Sequence, residues 1–175
     1  VSDFYGEHVA TEPGAYGSMT LPRELHVKNE HVYTTPVKEV YSLLEDVVYE
    51  GTGTEVKTEI ADNRYYASVS FEETGDFNIL LGQDGDKSVS LVSEGGKVSL
   101  KMAGVKSEKV QFVSSVSECR NAEIFVDGRT IEVYLNDGED VGTRLFYNSG
   151  RKGVFCLNSK TEAKVKVCEM RSIWK

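Results

Sequence analysis

Residues 124–139 read IFVDGRTIEVYLNDGE, and this stretch decides the fold. Its central part places apolar residues at every second position, namely Ile131, Val133 and Leu135. Such alternation is typical of a β-strand with one face on the core. Asp-Gly at 127–128 and Asn-Asp-Gly at 136–138 supply the positive φ angles that tight antiparallel connections require. We therefore predict a meander of three antiparallel strands across this stretch and the alternating residues up to Tyr147.

The same alternation continues on both sides of the meander. Residues 65–71 alternate apolar and small polar side chains, and a glycine turn at 94–96 separates two further alternating runs. β-branched residues outnumber Ala and Leu, which favours strands over helices. The pattern amounts to about eleven strands, too many for one open sheet in a chain of this size. We predict an all-β fold, a two-sheet antiparallel β-sandwich of concanavalin-like shape.

The N-terminal part has a different composition. All three prolines and all three histidines lie within the first 36 residues. Residues 37–46 follow a proline and carry apolar side chains at helical spacing, which predicts a short amphipathic helix. The chain is therefore divided into an N-terminal piece, 1–36, a linker helix, 37–46, and a β-sandwich, 47–175.

Charge and composition exclude several classes of partner. The formal net charge of −8 argues against nucleic acid, whose binding rests largely on Lys and Arg. No apolar run is long enough to cross a membrane, so we expect no membrane partner. The three cysteines form no C-x-x-C pair and are expected to be buried free thiols in a reducing, cytoplasmic compartment, although a parent protein with a signal outside this sequence would be secreted.

No motif in the sequence predicts chemistry by this chain alone. There is no G-x-S-x-G nucleophile elbow and no phosphate-binding glycine loop. The acidic turns at 84–86 and 137–140 lack the spaced ligands and closing Glu of a calcium loop. We therefore predict no catalytic residue, no metal site and no cofactor.

Three aromatic residues are candidates for carbohydrate binding. Tyr66, Tyr134 and Phe146 fall on faces opposite the apolar stripes, where exposed rings would stack against sugars. The alternative is that a second layer or a neighbouring domain covers these faces, because such a layer would also need apolar rings beneath it. The sequence leaves both interpretations open.

Several segments together resemble glycoside hydrolase family 32. Residues 19–25, MTLPREL, and the segments at 31–33 and 36–40 are similar to the part of that family where the five-bladed propeller meets its C-terminal module. Residues 124–139 resemble the signature of the C-terminal β-sandwich, and 169–174 resemble its last strand. The resemblance implies that 1–36 are leftover strands of the last propeller blade, and that the sandwich has two sheets of about six strands.

The family comprises invertases, sucrose-6-phosphate hydrolases, levanases and inulinases. They are retaining enzymes, a chemistry that needs two carboxyl groups about 5 to 5.5 Å apart. The family's Asn-Asp-Pro-Asn-Gly and Arg-Asp-Pro motifs are missing, since no Asp precedes a proline and no Arg precedes an Asp. Glu118-Cys119 and the Asn-Asp-Gly at 136–138 resemble catalytic motifs but belong to the sandwich region, so we interpret both as structural.

The resemblance thus implies a non-catalytic module whose partner is its own propeller domain. The alternative function is a carbohydrate-binding module for fructans or sucrose-like sugars. The severed N-terminal strands would also expose apolar residues such as Met19, Leu21 and Leu25, so self-association through them is a further expectation.

Overall fold

The computed structural model describes residues 18–104, 110–148 and 152–172. These residues form twelve strands and one 3-10 helix, and along them no helix has the length and apolarity to cross a membrane. The elements, in chain order, are β1 Arg23–Lys28, β2 His31–Pro36, the 3-10 helix Lys38–Leu43, β3 Leu44–Ile60, β4 Arg64–Phe71, β5 Phe77–Asp84, β6 Lys87–Glu94, β7 Lys97–Ala103, β8 Val110–Val113, β9 Asn121–Asp127, β10 Thr130–Leu135, β11 Asp140–Leu145 and β12 Gly153–Met170.

Ten of the strands build a two-layer antiparallel β-sandwich, which confirms the predicted fold class. The first layer contains β11, β10, β9, β4 and the C-terminal half of β12. The second contains β8, β7, β6, β5 and the N-terminal half of β12. β3 pairs with both halves of β12 and so completes each layer to six strands.

The two layers are one continuous hydrogen-bonded sheet, whereas the sequence predicted two separate sheets. The reason is the 18-residue β12, which pairs with β5 through Cys156–Ser159 and with β4 through Ala163–Glu169. Its pairing with β3 has a register irregularity between Asn158 and Ala163, where the strand passes from one layer to the other. A single long strand therefore joins both faces of the core.

The core lies between the layers and consists of the alternating apolar residues. Along β4 the buried positions include Tyr65, Ala67, Val69 and Phe71, as the alternation predicts. The meander contributes Ile131, Val133 and Leu135, all 1% exposed or less. Side chains at the intervening positions point to the outer faces, so Glu132 and Tyr134 lie on the outer side of the first layer.

The linker helix differs from its prediction. A helix was expected over 37–46, but the structure has a 3-10 helix over Lys38–Leu43, and β3 begins at Leu44. Leu44 is extended, with φ −70° and ψ 136°, and its register partner is Met170 on β12. Strand pairing with β12 therefore overrides the helical spacing of the last predicted residues.

Asp140, at the start of β11, holds the segment that follows β8 against β11 through hydrogen bonds. Its Oδ2 accepts hydrogen bonds from Ser114 Oγ at 2.7 Å and from the Ser115 backbone N–H at 2.8 Å. The Val141 N–H donates to Oδ1 at 2.8 Å. Burial alone raises the pKa of Asp140, but these hydrogen bonds outweigh it and hold the pKa below its usual value. The carboxylate thus links the ends of the two layers.

This bond network predicts a pH-dependent contribution to stability. The folded pKa of Asp140 lies below the unfolded value of about 3.9, so the carboxylate stabilises the fold above that pH and stops doing so as the pH falls through the folded pKa. We expect Asp140→Asn to lower the free energy of unfolding by about 1 kcal/mol near neutral pH. In urea titrations the difference from wild type should shrink near pH 3. A difference that is constant with pH would contradict this role.

Candidate functional site

The N-terminal hairpin forms a separate two-stranded sheet that lies against the sandwich. β1 and β2 pair antiparallel with Lys28 opposite His31. The connecting residues Asn29 and Glu30 have φ values of 52° and 61°, as in a type I′ turn. This turn type matches the natural twist of two paired strands, so the turn itself favours the observed pairing of β1 with β2.

A buried carboxylate on the first layer binds the N-terminal end of the hairpin. Glu132, on β10, is 2% exposed. Its Oε2 accepts a hydrogen bond from Arg23 Nη2 at 2.5 Å and one from the Tyr134 hydroxyl at 2.9 Å. The backbone N–H of Leu21 donates to Oε1 at 2.6 Å. Two of these three donors come from the N-terminal segment, so the sandwich supplies the anion and the segment supplies its partners.

Arg23 makes further contacts with the same surface. Its Nε donates to the Tyr134 hydroxyl at 3.1 Å, and its Nη2 donates to Thr143 Oγ1 at 2.9 Å. The guanidinium carbon is 5.4 Å from the centroid of the Tyr134 ring, within cation–π range. We call the set Arg23, Glu132, Tyr134 and Thr143 the clasp.

The electrostatics of the clasp favour the charged form of Arg23 and the neutral form of Tyr134. Burial lowers the pKa of Arg23, but its hydrogen bond to Glu132 and the charge of that carboxylate outweigh this effect and raise the pKa. Burial, followed by the charge of Glu132, raises the pKa of Tyr134, so its hydroxyl stays protonated and donates. Removing one member of a buried ion pair leaves the other charge buried without a partner. The resulting loss in the free energy of unfolding is far larger than the net stabilisation that the pair provides.

The Asn-Asp-Gly turn provides the second attachment of the hairpin. The Thr34 N–H of β2 donates to the Gly138 carbonyl at 2.8 Å, and His31 Nε2 lies 2.9 Å from the carbonyl oxygen of Glu139. Gly138 has a φ of 88°, and a Cβ there would lie 2.2 Å from the Thr34 carbonyl oxygen. Only glycine therefore allows both the turn and the close approach of β2.

Asn136 holds this turn in place from below. It is 4% exposed, and its φ of 49° is in the left-handed region. Its Oδ1 accepts from the Arg120 N–H at 2.8 Å, while Nδ2 donates to the Glu118 carbonyl at 2.8 Å and to Glu139 Oε2 at 2.9 Å. The amide of Asn136 thus fixes the backbone that presents Gly138 to the hairpin.

The 3-10 helix covers the adjoining part of the same outer face. Its Val40 is buried with Tyr66, Phe125 and Tyr134 in a cluster separate from the main core. The hydroxyls of Tyr41 and Tyr66 donate to the two oxygens of Glu123 at 2.8 Å and 2.6 Å. Hairpin and helix together therefore form a third, partial layer on the outside of the first layer.

The three candidate sugar-binding rings are all buried. Tyr66 is 7% exposed and Tyr134 is 1% exposed, beneath the helix and the hairpin. This is the covering layer that the sequence left open as the alternative. Phe146 is 2% exposed and belongs to the main core. β11 pairs Val141 with Tyr134 and Thr143 with Glu132 on the outer face, so the intervening positions up to Phe146 face inward. Its ring packs against Gly82.

Sequence reasoning did not identify Arg23 and Glu132 as partners. Both occur in the segments that carry the family resemblance, but 109 residues separate them. The available signal was Glu132 itself, a charged residue in a strand where all six positions proved to be buried. A buried charge requires a partner, although nothing in the local pattern names Arg23 as that partner.

Among the described residues, the remaining reactive groups form no second site. Cys119 and Cys168 are buried, Cys156 is partly exposed, and none of them forms a disulfide. Within residues 18–104, 110–148 and 152–172, no group of three His, Cys, Asp or Glu side chains is arranged to hold a metal ion. The clasp and the Asn-Asp-Gly turn are therefore the candidate functional site, a contact surface between two parts of the chain.

Comparison with known proteins gives likeness to solved glycosidase structures, while no family model matches the sequence. A glycoside hydrolase family 32 structure from Bifidobacterium adolescentis is 30% identical with a TM-score of 0.81, over 89% of this chain and 26% of that one. Sucrose-6-phosphate hydrolase from Lactobacillus gasseri is 18% identical with a TM-score of 0.66, over 86% and 33%. Exo-inulinase from Aspergillus awamori is 15% identical with a TM-score of 0.75, over 96% and 39%. The chain thus spans from about a quarter to two fifths of these proteins.

Proposed function

Since this chain corresponds to the C-terminal β-sandwich region of glycoside hydrolase family 32, we propose that it is a non-catalytic module supporting the propeller domain of such an enzyme. The observation that supports the proposal is the clasp. Glu132 on the sandwich binds Arg23 and Leu21 of the N-terminal segment, and Gly138 binds Thr34. A segment fastened at two points is suited to transmit a fixed orientation between two domains.

The proposal includes the three-part division of the chain. In this division 1–36 are the remnant of the last propeller blade, of which 1–17 lie outside the described residues, 37–46 are the linker and 47–175 are the sandwich. The last residues of the linker already pair in β3, which begins at Leu44. The described part of the first segment supports this division, since β1 and β2 form a sheet of their own and do not join the ten-stranded one. The linker, by contrast, packs on the sandwich through Val40. In the longer protein the hairpin would carry the propeller and the clasp would orient it.

A non-catalytic role predicts that the purified chain releases no fructose. The mechanism of retaining glycosidases needs a nucleophile and an acid/base that face each other across a sugar pocket. We expect no fructose above background from sucrose, sucrose 6-phosphate, inulin or levan in a coupled enzymatic assay. The control is the same purification from cells without the gene, which measures contaminating invertase. Release that exceeds this control and scales with chain concentration would refute the proposal.

The burial of the three rings also bears on the alternative of a carbohydrate-binding module. Tyr66, Tyr134 and Phe146 offer no free ring face to a sugar in this structure. Calorimetric titration with sucrose and with short inulin and levan oligosaccharides is accordingly expected to give no saturable heat. Saturable heat from a cooperatively folded sample would replace the supporting role by carbohydrate binding.

We further propose a reducing, cytoplasmic location for the protein. Burial raises the pKa of the Cys156 and Cys168 thiols, which keeps them protonated and unreactive. A chain with three free cysteines avoids mispairing most easily where thiols stay reduced.

A further inference from the structure

Asp-Gly dipeptides occur in this chain at 84–85, 127–128 and 137–138. In such a dipeptide the Asp side chain reacts readily with the next backbone nitrogen, because glycine has no Cβ to hinder the approach. The glycine nitrogen bonds to the Asp Cγ, one water leaves, and a succinimide ring forms. A second water then opens the ring at either carbonyl, which returns aspartate or gives isoaspartate. The sequence therefore contains three candidate sites for this modification.

The fold engages the glycine nitrogen at two of these sites. The Gly128 N–H donates to the Asn63 carbonyl at 2.8 Å, and Asn63 Nδ2 donates back to the Gly128 carbonyl. The Gly138 N–H donates to the Leu135 carbonyl at 3.0 Å. A nitrogen bonded in this way turns towards the preceding side chain only after the turn has opened locally. Both dipeptides are therefore protected while the chain is folded.

The dipeptide at 137–138 is further held by its neighbours. The Asp137 N–H donates to Asn121 Oδ1 at 3.0 Å. Gly138 is buried against the carbonyl of Thr34 on β2. Isoaspartate adds a methylene to the main chain, which would displace Gly138 from β2. The hydrogen bonds of this turn thus also protect the contact with the hairpin from the modification.

The dipeptide at 84–85 has no such restraint on its glycine nitrogen. It joins β5 to β6 through a two-residue turn, with Asp84 opposite Lys87. The hydrogen bond of such a turn joins its first and fourth residues and does not use the N–H of the second. No described residue accepts a hydrogen bond from the Gly85 N–H, and a Cβ on Gly85 would have nothing within 4 Å. The Gly85 nitrogen can therefore react without first breaking a hydrogen bond to the described part of the chain.

We propose that Asp84 is the residue at which the folded chain converts aspartate to isoaspartate, while Asp127 and Asp137 are protected. The reaction releases one water and takes up one water, so it needs no other reactant. Its product carries a free α-carboxyl, the group that isoaspartyl methyltransferases modify. The inference concerns the backbone of this chain and does not rest on the proposed function.

Ageing the purified chain in mildly acidic buffer at body temperature tests the proposal. Digestion followed by chromatography and electron-based fragmentation distinguishes isoaspartyl from aspartyl peptides, which have the same mass. We expect isoaspartate to accumulate at least about tenfold faster at 84 than at 127 or 137. The same chain in guanidinium chloride is the control, because all three nitrogens are then solvated and the three rates should become similar. Similar rates in the folded chain, or no isoaspartate at 84, overturn the proposal.

Two matched variants test whether the Gly85 nitrogen is the reacting group. Gly85→Ala keeps Asp84 but adds a Cβ beside the nitrogen, so isoaspartate at 84 should form several-fold more slowly. Gly128→Ala is the control, since Gly128 also has a φ of 59° with nothing within 4 Å of a Cβ. It should leave the rate at 84 unchanged. An unchanged rate in Gly85→Ala, or an equal slowing in both variants, contradicts the proposed reaction.

Discussion

Arg23→Leu is expected to lower the free energy of unfolding by about 3 kcal/mol. The variant removes the guanidinium that lies 2.5 Å from Glu132 and leaves a carboxylate that is 2% exposed without its cation. The hydrogen bonds to Tyr134 and Thr143 are lost with it. The hairpin should dissociate from the sandwich, because water can then solvate the unpaired carboxylate of Glu132.

Urea unfolding combined with amide hydrogen exchange separates the two parts of this effect. The unfolding midpoint should fall, and residues 23–36 should exchange faster while the core strand β4 stays protected. The double variant Arg23→Leu/Glu132→Leu is the matched control, since it removes both charges and should recover most of the lost stability. A double variant as unstable as Arg23→Leu would show that packing, and not the ion pair, holds the hairpin.

The sandwich itself was predictable because its signal is repeated. Alternation at Tyr65, Ala67, Val69 and Phe71 sets one face of β4 inward, and the same rule sets Ile131 and Val133 inward on β10. Each strand repeats the information, so an error in one leaves the fold class unchanged. The long β12 was not predictable, because joining both layers through one strand depends on how distant strands pair.

The contact site was only partly predictable, for a physical reason. Tyr66 and Tyr134 were placed on the outer face correctly, but alternation gives the face and not what covers it. Whether an outward ring is exposed or buried depended on segments that precede it in the chain: Val40 lies 26 residues before Tyr66, and Arg23 lies 111 residues before Tyr134. Phe146 was placed on the wrong face because the apolar run that contains Val141 was taken as the inner face of β11, whereas pairing with β10 puts that run on the outer face. The sequence motif at 136–138 was recognised, while its contact with Thr34 required the structure.

Gly138→Ala is the second substitution expected to have a large effect. Alanine at a φ of 88° is strained, and its Cβ would meet the Thr34 carbonyl oxygen at 2.2 Å. Because that neighbour is backbone, β2 has to move. We expect a loss of about 2 to 3 kcal/mol, of which about 1 kcal/mol reflects the positive φ alone. Gly85→Ala is the matched control, since Gly85 has a φ of 59° with nothing within 4 Å of a Cβ.

Comparing the two glycine variants isolates the contact with the hairpin. Both variants should lose the part of the free energy of unfolding that reflects the positive φ. Only Gly138→Ala should speed amide exchange in residues 23–36. Equal exchange in the two variants would contradict a docking role for the Asn-Asp-Gly turn.

The two attachments act on one hairpin, so the stability losses of Gly138→Ala and Arg23→Leu should not add. Once Gly138→Ala has released β2, Arg23→Leu should lower the free energy of unfolding by less than it does alone. Additive losses would mean that the clasp and the turn hold the N-terminal segment independently, whereas losses below the sum would identify the hairpin as one cooperative unit fastened at both points.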